Sequence, residues 1–152
     1  MKSHLDCTAQ GAHFNGLLDI QALGGAGFAS QRTRGNDRRI LWDLTSYNGI
    51  EIALDPLQSD RKVYTLILKD HVLPLNPDNG REQASTSWEY DFSTADYSTT
   101  PSAVPSEVKL FVPWDRFQPT YRGLPSNDTK PLDLSNIKRI SIMIRRFVDW
   151  AA

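Results

Sequence analysis

The chain has 152 residues, 39% hydrophobic and 23% charged, with a formal net charge of -1. That apolar content offsets the entropy of a one-domain chain and excludes a disordered tail, so 1–152 read as a single domain. The near-neutral balance argues against nucleic acid as main partner, and no apolar run reaches the ~20 residues of a membrane span. The opening MKSHLDCTAQG lacks the apolar stretch of a secretory signal and the Arg-rich pattern of a transit peptide. A lone cysteine, Cys7, forms no internal disulfide, so a reducing compartment, the cytoplasm, is the expectation.

No element is predicted over 1–22. Residues 26–33 (AGFASQRT) read as a strand whose small residues allow close approach. A short helical turn is expected at 42–47 (WDLTSY), then an Asn48-Gly49 turn favouring positive φ. Residues 50–54 (IEIAL) align Ile50, Ile52 and Leu54, the stripe of a half-buried strand. Residues 62–69 (KVYTLILK) are apolar on both faces, as in a central strand of a packed sheet. After the Asp78-Asn79-Gly80 turn, 85–92 (STSWEYDF) sets Trp88, Tyr90 and Phe92 opposite Glu89 and Asp91. Composition makes 93–106 a mobile surface loop. Strands follow at 108–112 (VKLFV) and 138–147 (KRISIMIRRF), the second with the stripe Ile140, Ile142, Ile144. Helical turns are expected at 113–117 and 132–137. About seven short strands with almost no helix predict an all-β antiparallel sandwich or barrel.

Several motifs carry less chemistry than they promise. Gly24-Gly25-Ala26-Gly27 lacks both the following helix of a dinucleotide loop and the lysine of a phosphate loop. It reads as a bulge or bend entering a strand. His4, His13 and His71 have no carboxylate or thiol partners at ligand spacing, so no metal and no cofactor is expected. There is no nucleophile elbow. Asn127-Asp128-Thr129 is a glycosylation acceptor only on a secretory route. Glu89 and Asp91 lie roughly 7 Å apart by strand rise, a spacing that suits acid/base work on a sugar. Their plainer reading is the solvated side of a strand.

Arginine beside aromatics on strands is more informative. Neighbouring strand residues point to opposite faces, so one of Arg145 and Arg146 aims at whatever the sheet covers. Such a charge needs a partner, and Asp43, Glu89 or Asp91 are available. The alternatives are a structural ion pair at the rim or an anion site on a concave face. PWDRFQPTYRG (113–123) combines Trp114, Phe117 and Tyr121 with Asp115, Arg116 and Arg122, and Pro113 and Pro119 stiffen it. That composition suits an interface hot spot, or a plug closing the end of the sandwich.

The order GGAGFASQRT, WDLTSYNGIEI, KVYTLILKD, STSWEYDF, LFVPWDRFQPTYRG and LDLSNIKRISIMI resembles the complex I intermediate-associated protein 30 family, especially its short fungal members. The resemblance runs from about Leu23 to about Phe147. It implies a galactose-binding-domain-like jelly-roll β-sandwich and an assembly-factor role without known chemistry, and it admits mitochondrial residence. The opening residues 1–22 are atypical of the family. Members also continue into a further strand beyond the one at 138–147, whose lack would open a sheet edge. The expectation is that the N-terminal segment or a second copy, as a homodimer, covers that edge.

The leading functional expectation is therefore a non-catalytic binding module for a protein partner, with Trp114, Phe117, Tyr121 and Arg122 as interface candidates. The alternative is a cofactor-free cyclase-type enzyme that holds a small-molecule ligand in the jelly-roll concavity. Its binding candidates are Gln31, Arg32, Tyr64, Lys69, Trp88, Glu89 and Arg145. A weaker alternative is carbohydrate recognition, with Trp88 or Trp114 as the stacking platform.

Overall fold

Strands form where the alternation is strongest. The computed structural model describes residues 2–17, 27–34, 41–96, 107–127 and 130–146. In chain order the strands are β1 (Lys2–Thr8), β2 (Gly11–Leu17), β3 (Gly27–Arg32), β4 (Gly49–Leu54) and β5 (Tyr64–Lys69). They continue as β6 (Ser87–Phe92), β7 (Val108–Pro113), β8 (Gln118–Tyr121), β9 (Leu124–Pro125) and β10 (Arg139–Arg146). Helix among the described residues is limited to single 3-10 turns at Thr94–Asp96, Trp114–Arg116 and Leu134–Asn136. The last two fall inside the turns expected at 113–117 and 132–137.

All strand pairs are antiparallel. Six strands form one sheet in the order β3-β10-β5-β6-β8-β9, and β4-β7 forms a second. The two sheets enclose the core, making this an all-β sandwich. Leu66, Leu68, Trp88 and Phe92 project from the large sheet onto Val112, with Ile50, Ile52, Leu54 and Leu110 packed around them. Across the small sheet Ile50 faces Val112 and Ile52 faces Leu110, so both inner stripes coincide. β5 lies between β10 and β6, which explains why it is apolar on both faces.

Three local expectations change. Residues 2–17 form a two-stranded hairpin closed at Thr8 and Gly11, where no element was predicted. The pattern was weak because β1 and β2 are mostly exposed and carry few β-branched residues. Residues 42–47 are not helical. Trp42 exchanges backbone hydrogen bonds with Ile137 (2.9 and 3.0 Å), and Asp43 Oδ1 accepts from Thr45 N (3.0 Å) and Oγ1 (2.6 Å). The Thr45 hydroxyl and amide hold the Asp43 carboxyl below its usual range. Asp43 is therefore engaged locally rather than with an arginine. Gly49 opens β4 without positive φ, whereas Gly80 has φ 67° as its turn requires.

The segment after β7 is more ordered in its pairing than a loop. β8 and β9 form a tight hairpin whose two central residues, Arg122 and Gly123, have φ of 52° and 79°. Both positive values suit the twist of a two-residue hairpin turn. Of the segment expected to be mobile, 93–96 close β6 and its 3-10 turn, and 97–106 lie outside the described residues. Gly24–Ala26 of the glycine cluster, Asp128 and Thr129, and residues 147–152 also lie outside them.

The strand at 138–147 is not an edge, because β10 sits between β3 and β5. The free edge at that side is β3. Thr33 N donates to Ile140 O, so alternate residues such as Ser30 turn their backbone groups outward. Ser3 Oγ of β1 donates to Ser30 O (2.9 Å), and Gln31 Nε2 donates to Ser3 O and Oγ (both 2.9 Å). The N-terminal hairpin thus meets this edge through side chains rather than by extending the ladder.

Candidate functional site

The large sheet has a second face, turned away from β4 and β7. Register fixes what stands on it. β10 contributes Arg139, Ser141, Met143 and Arg145, opposite its isoleucine stripe; β5 contributes Thr65, Ile67 and Lys69. β6 adds Glu89 and Asp91, paired with Ile67 and Thr65, and β3 adds Arg32, paired with Ser141. Four cations and three carboxylates gather here once Glu82, from the loop before β6, is counted.

They form two neighbouring groups. At one end Glu82 pairs with Arg32 and lies 3.6 Å from Arg139, whose side chain is almost fully buried. Lys69 Nζ donates to Ser85 Oγ (3.0 Å) and Ser85 O (3.2 Å), and Ser85 Oγ donates on to His71 O. Burial, with the Arg139 guanidinium beside it, draws the Lys69 ammonium below its usual pKa, while Glu82 and Glu89 partly oppose this. At the other end Arg145 pairs with Glu89, and lies 3.9 Å from Asp91. Thr65 Oγ1 donates to Asp91 Oδ1 (2.6 Å) and accepts from Arg145 (3.4 Å). Side-chain exposure is 10% for Glu89 and 62% for Asp91, so only Asp91 is the solvated strand residue expected.

Of the ligand-binding candidates, the fold brings Arg32, Lys69, Glu89 and Arg145 onto this one face. Tyr64 and Trp88 point the other way, towards the core, and Gln31 is held by β1. Glu82, Ser85 and Arg139 were missed. Arg139 was legible, since it continues the same odd-numbered register as Arg145; Glu82 and Ser85 lie in a loop whose return path no periodicity records.

Tyr64 donates to Asp60 Oδ1 (2.9 Å), and burial together with that carboxylate pushes its phenol up to about 12. Asp60 loses solvation, yet the Lys62 amide and ammonium and the Tyr64 hydroxyl bring its carboxyl below the usual value. Because the folded phenol holds its proton beyond the unfolded value of 10.0, this stability is complete below pH 10 and is lost towards pH 12. Lys69, with a lowered pKa, has the opposite sign at alkaline pH. Urea melts from pH 9 to 11.5 are expected to show a shallower alkaline loss for Tyr64→Phe than for the wild type. Equal slopes would remove the Asp60–Tyr64 link from the account.

The interface candidates divide. Phe117 is 3% exposed and packs in the core, with Trp114 tilted against it at 6.1 Å between ring centres. Trp114 Nε1 donates to Tyr47 O (2.7 Å), which fixes the indole. Tyr121 and Arg122 are exposed at the β8–β9 tip, the guanidinium 5.6 Å from the ring centre. Trp88 is buried in the core, so its ring has no open face for a sugar. Among the described residues no three His, Cys, Asp or Glu side chains gather as a metal site, and no helix is long and apolar enough to cross a membrane.

A family model described as Complex I intermediate-associated protein 30 (CIA30) matches residues 2–150. An uncharacterised protein of the fission yeast Schizosaccharomyces pombe is 42% identical over 136 residues, covering 90% of this chain and 56% of that protein. The chain thus spans little more than half the length of this curated relative. Over nearly its whole length, including both strands of the N-terminal hairpin, it belongs to the complex I intermediate-associated protein 30 family.

Proposed function

We propose that this chain is a non-catalytic binding module of the assembly-factor kind, which receives a protein partner on the charged face of its large sheet. The observation that carries the reading is the charge exposed on this face: Arg32 and Glu82 at one end and Asp91 at the other, held in place by the buried Arg139 and by the largely buried Arg145–Glu89 pair. Alternating charges on a rigid sheet select a partner by complementarity more than they add raw affinity. The family description supports a partner within a partly assembled multi-subunit complex, with residence in the compartment where that complex is built.

The test uses tagged full-length protein in its own host, with native electrophoresis of fractionated cells and mass spectrometry of the co-migrating subunits. The wild type is expected in a particle containing respiratory-complex subunits at an incomplete stage. Arg32→Glu, a change at a half-exposed pair that leaves the core alone, is expected to shift most of the chain to the free fraction. Wild-type protein running free in every fraction, or a particle indifferent to the charge reversal, overturns the reading.

A further inference from the structure

The sandwich is unequal, six strands against two, and the small sheet does not cover the whole inner face of the large one. Beyond its margin the N-terminal hairpin stands over the end of β10. Between them lies an open cleft of about 980 Å³, in the size range of small-molecule sites. Its floor is Ile142 and Ile144 of β10, whose stripe runs out from the core into the cleft. One wall is a row of aromatic rings, Phe14 of β2 edge-on to Tyr64 and Tyr64 tilted on Phe92, each pair 6.1 Å between centres.

The mouth carries its charge chiefly on one side, with His13 and Asn15 of β2 on the other. The 58–63 loop brings Asp60, Arg61 and Lys62 to its rim. Asp60 is already satisfied, by the Lys62 amide and ammonium (both 3.0 Å) and the Tyr64 hydroxyl. With its hydroxyl tied to Asp60, Tyr64 lines the cleft between Phe14 and Phe92. Arg61 is exposed and makes no ion pair among the described residues. Across the mouth Leu17 is 74% exposed, an apolar side chain left in water at the end of β2. An apolar trough with one uncompensated cation at its rim has the complement of an amphipathic monoanion.

We infer that the cleft binds a single-chain carboxylate, with the hydrocarbon tail along Ile142, Ile144 and the Phe14–Tyr64–Phe92 row and the carboxylate at Arg61. Burial of the chain supplies the affinity and the guanidinium supplies the choice of head group. The cleft opens from the inner side of the large sheet, with Arg145 also in its lining, where that guanidinium is already paired with Glu89; its occupancy is read on the purified chain with no partner present.

Dodecanoate and 1-dodecanol, each titrated into the purified full chain by calorimetry, separate the two components. Dodecanoate is expected to bind saturably at one per chain, and more tightly than the alcohol. Arg61→Glu is expected to weaken dodecanoate about tenfold, the loss of one charge-assisted contact, and to leave dodecanol unchanged. Phe14→Ala, on the half-exposed hairpin, is expected to weaken both. Absence of saturable dodecanoate binding overturns the proposal, as does binding that neither variant alters. Equal affinity for acid and alcohol, unchanged by Arg61→Glu, overturns the anion assignment. A dimer in sedimentation that Phe14→Ala dissociates, without ligand uptake, gives the cleft to a second copy and overturns it too.

Discussion

Replacing Arg145 by alanine is expected to destabilise the fold by about 3–5 kcal/mol, the cost of leaving a buried charge without its partner. Glu89 is the group left behind. Its side chain is 10% exposed on the middle of a six-stranded sheet, where water cannot replace the guanidinium. Thr65 also loses a donor to Oγ1, which then serves only Asp91. Two further variants say what the pair is for. Arg145→Lys keeps the charge but not the planar fork and is expected to recover part of the loss. The double change Arg145→Met with Glu89→Leu is expected to come close to wild-type stability, because an apolar pair of similar volume avoids both desolvation costs. Urea melts of all four proteins check this. A loss under about 1 kcal/mol for Arg145→Ala would class the pair with exposed surface bridges. A near-neutral double variant, by contrast, would mean that the largely buried ion pair adds no net stability over an apolar pair of the same volume.

The face was half legible in the chain's own alternation. Ile140, Ile142 and Ile144 assign one side of β10 to the core, and the same period carries Arg139, Ser141, Met143 and Arg145 to the other. Trp88, Tyr90 and Phe92 do the same for β6, so Glu89 and Asp91 had to stand on the outer face. Period-two patterns record which face a residue takes, not which strand lies beside it. Pairing β10 with both β3 and β5 is a long-range choice, and Arg32, Lys69 and Arg145 converge only because of it. Loops are less legible still. Glu82 reaches Arg32 from a segment rich in turn residues, by a path that depends on Asn76–Gly80 bonds and on Lys69–Ser85. The N-terminal hairpin escaped notice for a different reason. Its strands are held by cross-strand backbone bonds and by Ser3 against Ser30 and Gln31, with little apolar stripe to announce them.

Gly49 gives the other large effect, and its sign separates two explanations of one glycine. Read as the second residue of an Asn-Gly turn, Gly49 would be needed for positive φ, and asparagine would replace it at small cost. The folded chain places it instead in extended backbone, as the first residue of β4 opposite Pro113. There an added Cβ would stand 2.3 Å from Val112 O and 2.9 Å from Val112 C, with Phe111 Cζ at 2.7 Å. The phenyl tip can swing aside, because Phe111 is largely exposed; the carbonyl cannot, since β7 is held by Val112 in the core and by its pairing to β4. Gly→Ala at a compatible extended site ordinarily stabilises by about 0.4–1 kcal/mol through the unfolded chain. Here Gly49→Ala is expected to destabilise by about 2–3 kcal/mol, the range of overpacking, and to lower the melting temperature by about 6–10 °C. Gly49→Asn is expected to be worse than alanine, because it adds atoms into the same contact. Phe111→Ala in the Gly49→Ala background is expected to recover little, as it leaves the Val112 carbonyl in place. Thermal melts rank the three proteins. Asparagine milder than alanine would restore the turn explanation and would mean that β4 begins one residue later than its pairing with Pro113 indicates.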